Sequence, residues 1–531
     1  MNIAPPRENL SIRNPKPCLQ LGALLRIKSY FSLRCPCFPR HHPEHTPPPQ
    51  NTAGPPTPRA EPTPPPRKPR APPSRPDVAP PRSSSVPPHM NAGPLRSPPR
   101  QGETRPCRRQ HLPGFARRRR GEGACACNLD RSFSKWMKRL SYGLNGAYWH
   151  AMRKFLVVEL FGVRHVKAAW HARQHQVEKL MSTLSGLAGE PVPLTEHIFS
   201  LADGIIGMLG FGDMYNSDKF PHHKNLEHAL EEATHVQASF SAGDYFPNII
   251  GRLVDRITGL TARRERIFKQ LDTIYEIIIE QHLDPRRVKP HNGDLVDRLI
   301  SLWKDNRGTL NITRDHVKGI IFGTFIGGSD TASVTILWAI AELIRKPPLL
   351  KKVQDEVRAV VGSNERTLFY MQPDDLARLG YLKMVVKETL RLHPPATMLL
   401  PKEAMRDIQI DGYDVSAKTR IYVNVWAIGR DPASWPDDPK EFKLERFEDS
   451  KVDFKGAHFE LTPFGAGRRI CPALSMSTAT VEFTLANLLY HFEWALPEGT
   501  SMSMEEEGKL IPLLKTPLVL VPTAYQQAKQ V

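Results

Sequence analysis

Proline divides the chain into two parts that differ in what they can fold into. The first 120 residues hold 30 of the 51 prolines in this chain of 531 residues. Proline cannot donate a backbone hydrogen bond, and this part has few large apolar residues to offset the entropy cost of ordering. We therefore expect a disordered Pro/Arg-rich tail over residues 1–125 and a folded domain over residues 126–531.

Charge follows the same uneven distribution. The first 120 residues hold 22 basic and 5 acidic residues, so they account for +17 of the formal net charge of +18. This arginine-rich composition is compatible with a transit peptide, and the arginine run 117–120 with a nuclear signal or a phosphate-binding arm. The plainest interpretation is a solvated, unstructured tail. The folded domain is nearly neutral and gives no reason to expect a nucleic-acid partner.

Cys471 is the one cysteine after residue 130, since the other six of the 7 cysteines precede that position. A single cysteine excludes a disulfide-built secreted fold and a cysteine-cluster zinc domain in this part of the chain. The sequence contains no run of about 18 uncharged apolar residues, the length that a spanning helix needs. We therefore expect a folded domain whose apolar residues build a protein core.

Hydrophobic spacing predicts a mainly helical domain with small β-sheets. Apolar residues recur at helical spacing in four segments, residues 261–283, 313–345, 382–392 and 473–491. Thr313 is the expected N-cap of the longest helix, and Pro347 the expected stop. Short alternating runs within residues 408–425, with Gly412 and Lys418 at turns, predict strands.

The segment around Cys471 carries the strongest chemical signal. Residues 464–473 read Phe-Gly-Ala-Gly-Arg-Arg-Ile-Cys-Pro-Ala. The two glycines permit a tight turn close to a flat ligand, and the two arginines have no acidic neighbour in sequence. The cysteine precedes a predicted helix, whose positive end and unpaired N–H groups stabilise a thiolate, the form that ligates iron. Out of this context, a lone cysteine is more often a small buried residue.

The longest predicted helix contains the run Gly327-Gly328-Ser329-Asp330-Thr331. Two glycines inside a helix cost about 1 kcal/mol each relative to alanine. One interpretation is close helix packing, with the threonine bonding back to its own helix. The other is a local opening for dioxygen in which Thr331 and Asp330 relay protons, and the charge of Asp330 in an apolar stretch favours it.

Two further pairs have the spacing of one helix face. Glu388 and Arg391 are three residues apart, and Trp149 and Arg153 are four apart. Each is also compatible with a surface contact, an ion pair in the first case and a cation–π contact in the second. Neither pair indicates a function by itself, but the order of both pairs relative to Cys471 along the chain is informative.

In this order the segments resemble cytochrome P450 monooxygenases, in particular plant A-type microsomal members. The resemblance implies the haem-thiolate fold and a haem b cofactor with Cys471 as the metal ligand. Residues matching the family's cofactor-binding positions are Cys471, Arg469, Phe464, Gly467, Trp149, Arg153 and Lys402. Ala473 replaces the family's usual glycine, and Lys402 stands where many members have arginine, which supplies a point charge in place of a fork.

The same resemblance assigns the remaining residues. Asp330 and Thr331 match the oxygen-activation motif. Glu388, Arg391 and Arg446 match a structural triad that stabilises the haem-side core. Residues expected to face the substrate are Phe322, Phe325, Ile326, Thr397, Met398 and Leu399.

The implied reaction inserts one oxygen atom from O2 into a small hydrophobic substrate of the plant secondary-metabolite type. Electrons come indirectly from NADPH through NADPH–cytochrome P450 reductase. The implied location is the cytoplasmic face of the endoplasmic reticulum membrane, although the chain shows no anchor and a soluble or plastid-targeted form is also compatible with it. The family's early strands and helices have no counterpart in the Pro/Arg tail, which predicts an N-terminally truncated domain. The alternative is an inactive haem-fold remnant whose function is limited to interactions of its basic tail.

Overall fold

The computed structural model describes residues 146–216, 223–246, 249–289, 293–305, 312–362, 371–508 and 511–525. The tail expected over residues 1–125 lies outside these ranges. The expected absence of the family's early strands and helices concerns the same N-terminal part of the chain, which is also outside them. Those two expectations therefore remain sequence predictions.

Helices make up most of the described residues. In chain order they are α1 (Ala147–Phe155), α2 (Val163–Ala168), α3 (Trp170–Gly186), α4 (Leu194–Phe211), α5 (His223–Ala238), α6 (Ala242–Tyr245), α7 (Ile249–Ile257), α8 (Leu260–Leu283), α9 (Leu295–Asp305), α10 (Arg314–Arg345), α11 (Pro347–Gly362), α12 (Pro373–Arg378), α13 (Gly380–Leu392), α14 (Val425–Ile428) and α15 (Leu474–His491). A π-helical turn, Leu156–Leu160, continues α1. The four helices predicted from hydrophobic spacing are confirmed as α8, α10, α13 and α15, with ends that agree to within two residues.

The strands are short and antiparallel. They are β1 (Val192–Pro193), β2 (Lys402–Glu403), β3 (Ile408–Ile410), β4 (Tyr413–Val415), β5 (Arg420–Ile421), β6 (Phe492–Ala495), β7 (Glu506–Glu507), β8 (Leu513–Leu514) and β9 (Val519–Ala524). β9 pairs with both β1 and β6, and the pairs β2–β5, β3–β4 and β7–β8 are separate two-stranded sheets. Gly412 and Lys418 have left-handed φ angles of 80° and 69°, which confirms the turns predicted there. The predicted class, mainly α with small sheets, is therefore confirmed.

Helix α10 forms the centre of the fold. Its first half packs in one apolar cluster with α8 and α9, and its second half packs in another with α13 and α15. Among the described residues, α10 is also long and apolar enough to cross a membrane, but 56% of its most apolar window is buried in protein. A helix whose apolar side chains already contact protein on this scale has the properties of a central core helix.

The ends of α10 combine one expected and one unexpected feature. Thr313 is the N-cap, and it forms a capping box in which the His316 side chain accepts from the Thr313 backbone N–H at 3.0 Å. The stop expected at Pro347 is confirmed, since α10 ends at Arg345, but the sequence did not predict that α11 begins at Pro347 itself after a single break at Lys346. Proline is tolerated in the first turn of a helix, where its missing N–H has no partner to lose.

Candidate active site

The loop from Phe464 to Cys471 turns back on itself. The Cys471 backbone N–H donates to the Phe464 carbonyl at 2.9 Å. Gly465 and Gly467 have φ angles of 73° and 65°, the left-handed region in which a side chain is strained. Ala473, which replaces the family's usual glycine, has φ of −98°, so its methyl group is accommodated without backbone strain.

Three influences act on the Cys471 thiol. Burial raises the pKa of Cys471, whereas a hydrogen bond from the Ala473 backbone N–H and the charge of Arg153 lower it. The sequence predicted stabilising N–H groups at the start of α15, and the Ala473 N–H is one of them. It predicted neither the effect of the Arg153 charge nor the dominance of burial, because both depend on neighbours that are distant in sequence.

Helix α1 brings an indole and a guanidinium beside this loop. The Arg469 guanidinium lies 4.1 Å from the centre of the Trp149 ring, and Arg153 donates to the Ile470 carbonyl. Trp149 is buried. Four residues assigned to the cofactor from sequence, Trp149, Arg153, Arg469 and Cys471, therefore lie in one region, although more than 300 positions separate α1 from the loop.

This donor set fits haem. A thiol is a suitable ligand for iron, and guanidinium groups are suited to carboxylates such as the haem propionates. Within the described ranges, no group of three or more His, Cys, Asp and Glu side chains could hold a bare metal ion. A single cysteine ligand fits an iron whose other ligands come from a macrocycle. Lys402 lies on β2 with an exposed side chain.

The glycine pair of α10 separates the two interpretations drawn from the sequence. A Cβ atom at Gly328 would lie 2.6 Å from Ile206 of α4, so this glycine permits close helix packing. Gly327 has open space around its Cβ position. The Thr331 hydroxyl donates to the Gly327 carbonyl at 2.8 Å, and α10 is continuous through this region. The helix is therefore closed here, with one glycine used for packing and the other facing free space.

A cavity of about 320 Å³ lies against the same stretch of α10. Phe325 and Ile326, both expected to face the substrate, line it together with Asp330. Its other lining residues are Phe199, Asp203, Glu227, Leu230, Glu231, Thr234, His235, Ser329, Val334, Ile511 and Leu513. Burial, together with the carboxylates of Asp203 and Glu231, raises the pKa of Asp330. The cavity thus combines apolar surface with a group of hydrogen-bond acceptors.

The other residues expected to face the substrate are distributed differently. Phe322 is fully buried in the core and is not among the residues that line the cavity. The Thr397 carbonyl accepts from the Val425 backbone N–H at 2.8 Å, and Met398 is exposed. Leu399 approaches to 3.8 Å from the Cβ position of Gly465, which brings this loop next to the cysteine loop.

Sequence reasoning missed the carboxylates that α4 and α5 contribute to the cavity, and it also missed the hairpin residues Ile511 and Leu513. No local pattern identifies them, because they come from separate segments that meet only in the folded chain.

The residues of the expected triad are in direct contact. Arg391 donates to Glu388 through Nε at 2.6 Å and Nη2 at 2.7 Å, and both side chains are fully buried. Arg446 Nε lies 3.5 Å from the same carboxylate. The Lys443 backbone N–H also donates to it at 2.8 Å. The carboxylate therefore ties α13 to the segment that leads to the cysteine loop.

Fold and site together define a haem-thiolate monooxygenase, and comparison with known proteins agrees. Residues 128–522 match the family model of cytochrome P450. The chain is 54% identical to 4-hydroxyphenylacetaldehyde oxime monooxygenase of Sorghum bicolor over 412 residues, 75% of this chain and 77% of the relative. It is 42% identical to 2-methylbutanal oxime monooxygenase of Manihot esculenta over 71% of this chain and 74% of the relative. The chain belongs to the cytochrome P450 family.

The structural comparison gives the same fold. A zebra fish cytochrome P450 in a structure with progesterone superposes with a TM-score of 0.62 at 23% identity, covering 74% of this chain and 87% of that one.

The family model and the plant relatives together identify the chain as a plant A-type P450 monooxygenase. Its cofactor is a haem-thiolate that receives electrons from NADPH through a reductase. The comparisons favour this function over the inactive remnant.

Proposed function

We propose that this monooxygenase acts on a small aldehyde oxime. The carrying observation is the 54% identity to an oxime monooxygenase, which extends over 77% of that enzyme. A second relative, at 42% identity, is also an oxime monooxygenase, although its name gives a branched aliphatic compound in place of an aromatic one. The shared element of the two names is the oxime group, so the proposal concerns this group and leaves the side chain open.

The cavity chemistry supports this substrate class. An oxime has an apolar carbon chain and one hydroxyl that can donate a hydrogen bond. Phe325 and Ile326 offer apolar surface, and the carboxylates of Asp203 and Asp330 offer acceptors within the same cavity. A volume of about 320 Å³ is of the size that small-molecule sites have.

The roles of the site residues follow from chemistry and position. Cys471 supplies the sulfur that would ligate the haem iron, and bound haem supplies the activation of O2. Arg153, Arg469 and Trp149, with Lys402 from β2, would bind the propionates, while Phe464 and Gly467 shape the loop that carries Cys471. Glu388, Arg391 and Arg446 hold the haem-side core.

Proton delivery is assigned to Asp330 and Thr331, which are adjacent on α10. The raised pKa of Asp330 favours a carboxyl that holds and releases a proton nearer to neutral pH. The Thr331 hydroxyl, bonded to the Gly327 carbonyl at 2.8 Å, is held beside the open space at Gly327. In this proposal the Asp330 carboxyl would supply the proton and the Thr331 hydroxyl would pass it on beside that open space.

Reconstitution with purified P450 reductase and NADPH tests the proposal. We expect loss of 4-hydroxyphenylacetaldehyde oxime or 2-methylbutanal oxime with uptake of O2, and no turnover of the matched alcohols that lack the oxime group. The Cys471→Ser variant should lose both the turnover and the thiolate-type spectrum of the reduced CO complex. A normal CO spectrum with no turnover of any oxime would refute the substrate class but keep the enzyme class.

Membrane association at the cytoplasmic face of the endoplasmic reticulum is the second part of the proposal. Helix α7 exposes an apolar face, in which Ile249 is 82% and Ile257 75% exposed. Arg252 and Arg256 lie on the same helix, so the apolar face has basic residues beside it that suit anionic lipid headgroups. Flotation with phosphatidylcholine–phosphatidylserine vesicles tests it. The Ile249→Asp/Ile257→Asp variant should float less than the unchanged chain, and equal flotation would contradict the role of α7.

A further inference from the structure

His393 follows the last residue of α13 and is almost fully buried, with 7% of its surface exposed. Its ring stacks on Trp338 of α10, with centroids 3.9 Å apart and planes 2° apart. The stacking fixes the plane of the imidazole, so each ring nitrogen points in a defined direction. Neither the oxygen chemistry nor the haem contacts described above use this residue.

Both ring nitrogens face carboxylates. His393 Nε2 lies 2.9 Å from Glu342 Oε1 of α10, and Nδ1 lies 3.5 Å from Glu506 Oε1 of β7. Nε2 is within hydrogen-bond distance of a carboxylate oxygen, which only accepts. The Nδ1 contact is a longer electrostatic one without hydrogen-bond geometry. The interaction with His393 is also the main influence that lowers the pKa of Glu506.

The charge of the two carboxylates does not depend on His393 alone. Arg345 lies 2.8 Å from Glu342, and Arg430 lies 3.8 Å from Glu506. Each carboxylate therefore has a second cation. What the histidine adds is a rigid link between two acids on different elements.

Trp338, on which the His393 ring stacks, connects this link with the cavity. Trp338 Nε1 donates to the Pro512 carbonyl at 3.1 Å, and Pro512 stands between the cavity-lining residues Ile511 and Leu513. Hence the β7–β8 hairpin is attached to α10 twice, once through Glu506 and His393 and once through Pro512 and Trp338. In the other direction, His393 leads through two prolines into residues 396–400.

We propose that His393 is a positioning residue that fixes the β7–β8 hairpin against α10 and so sets the shape of the substrate cavity. The inference takes the cavity as the substrate site, and it therefore rests on the proposed function in that one respect. His393 is not among the residues that line the cavity, so its effect on the reaction is through the position of Ile511 and Leu513.

Hydrogen exchange of the peptide 505–515 in the full chain tests the link without haem turnover. In the Glu506→Ala variant we expect exchange of this peptide to rise about tenfold, because the hairpin loses its charged contacts with His393 and Arg430. The matched control is Glu505→Ala, on the same hairpin, which removes only an exposed pair with Lys515. The conservative Glu506→Gln keeps the size of the side chain without its charge and should give an intermediate rate of exchange. Equal exchange in Glu506→Ala and Glu505→Ala would overturn the proposal.

Azole binding to the haem-loaded chain gives a second readout. Imidazole is too small to depend on the hairpin, whereas 4-phenylimidazole places a ring in the cavity. For His393→Ala we expect the affinity for 4-phenylimidazole to fall about fivefold, because misplaced cavity residues lose contacts, with imidazole affinity unchanged. Unchanged affinity for both azoles would refute the positioning role. Neither azole is oxidised in this measurement, so failure here is distinct from failure of the oxime proposal.

Discussion

Removing the charge of Glu388 gives the sharpest test of the buried triad. The Glu388→Gln substitution keeps the size of the side chain but leaves the Arg391 guanidinium without its carboxylate. Both side chains are fully buried, and the two hydrogen bonds between them are 2.6 and 2.7 Å long. The remaining partners of Arg391, the carbonyls of Gly429, Pro439 and Glu441, carry no formal charge.

The expected cost follows from this burial. Breaking a buried ion pair by neutralising one partner costs about 3–5 kcal/mol, because the other charge stays desolvated. An exposed pair such as Lys351–Asp355, with side chains 77% and 58% exposed, is worth about 0.3–0.5 kcal/mol. Asp355→Asn is therefore the matched control, since it makes the same chemical change at an exposed position.

Urea unfolding followed by far-ultraviolet circular dichroism measures the difference. We expect Glu388→Gln to lower the free energy of unfolding by about 3–5 kcal/mol and Asp355→Asn by less than about 1 kcal/mol. Replacing the pair together, Glu388→Leu with Arg391→Met, should recover part of the loss because the fully buried Arg391 charge is removed with its partner. A loss for Glu388→Gln no larger than that of the control would refute the reasoning, since the triad would then be an ordinary surface pair.

Three further predictions test separate features. Gly465→Ala should lower the haem content, because a non-glycine residue at its φ of 73° costs about 1–2 kcal/mol. The control Ala473→Gly, at a φ of −98°, should change the haem content little. The pyridine haemochrome spectrum measures the haem content of both variants. Asp294→Asn should lower the urea midpoint clearly, because buried Asp294 lies 2.6 Å from Arg287 and 3.1 Å from His282. Burial lowers the pKa of His491 from 6.5 to about 4. Between these two pH values the unfolded chain binds a proton that the folded chain does not. The free energy of unfolding should therefore fall by about 3 kcal/mol as the pH drops from 6.5 to 4. The His491→Gln variant should show a shallower decline in its unfolding free energy over that window, and an equal decline would contradict the assignment.

The sequence was most informative where a physical rule acts over a few residues. Helical spacing placed α10 and α15, the glycines at 465 and 467 marked a turn, and the three-residue spacing of Glu388 and Arg391 placed them on one helix face. Each of these rules involves neighbours along the chain, so one sequence suffices to apply it.

The remaining features depend on contacts between distant segments. Burial of the Cys471 thiol, the carboxylates that face Asp330 and the two acids beside His393 all arise where separate elements pack together. Pro347 shows a different limit, since the proline predicted the end of α10 but not that α11 begins at the same residue.

The three-stranded sheet has a consequence for the order in which the chain can fold. β1 pairs Val192 with Leu520, so strands 328 positions apart close one sheet. During synthesis β1 and β6 have no shared partner until β9 has left the ribosome. Contacts of such sequence separation form slowly because a long loop must close first. The helices can form early, but the sheet that joins β1 to β9 is completed only after the whole segment between them has been made.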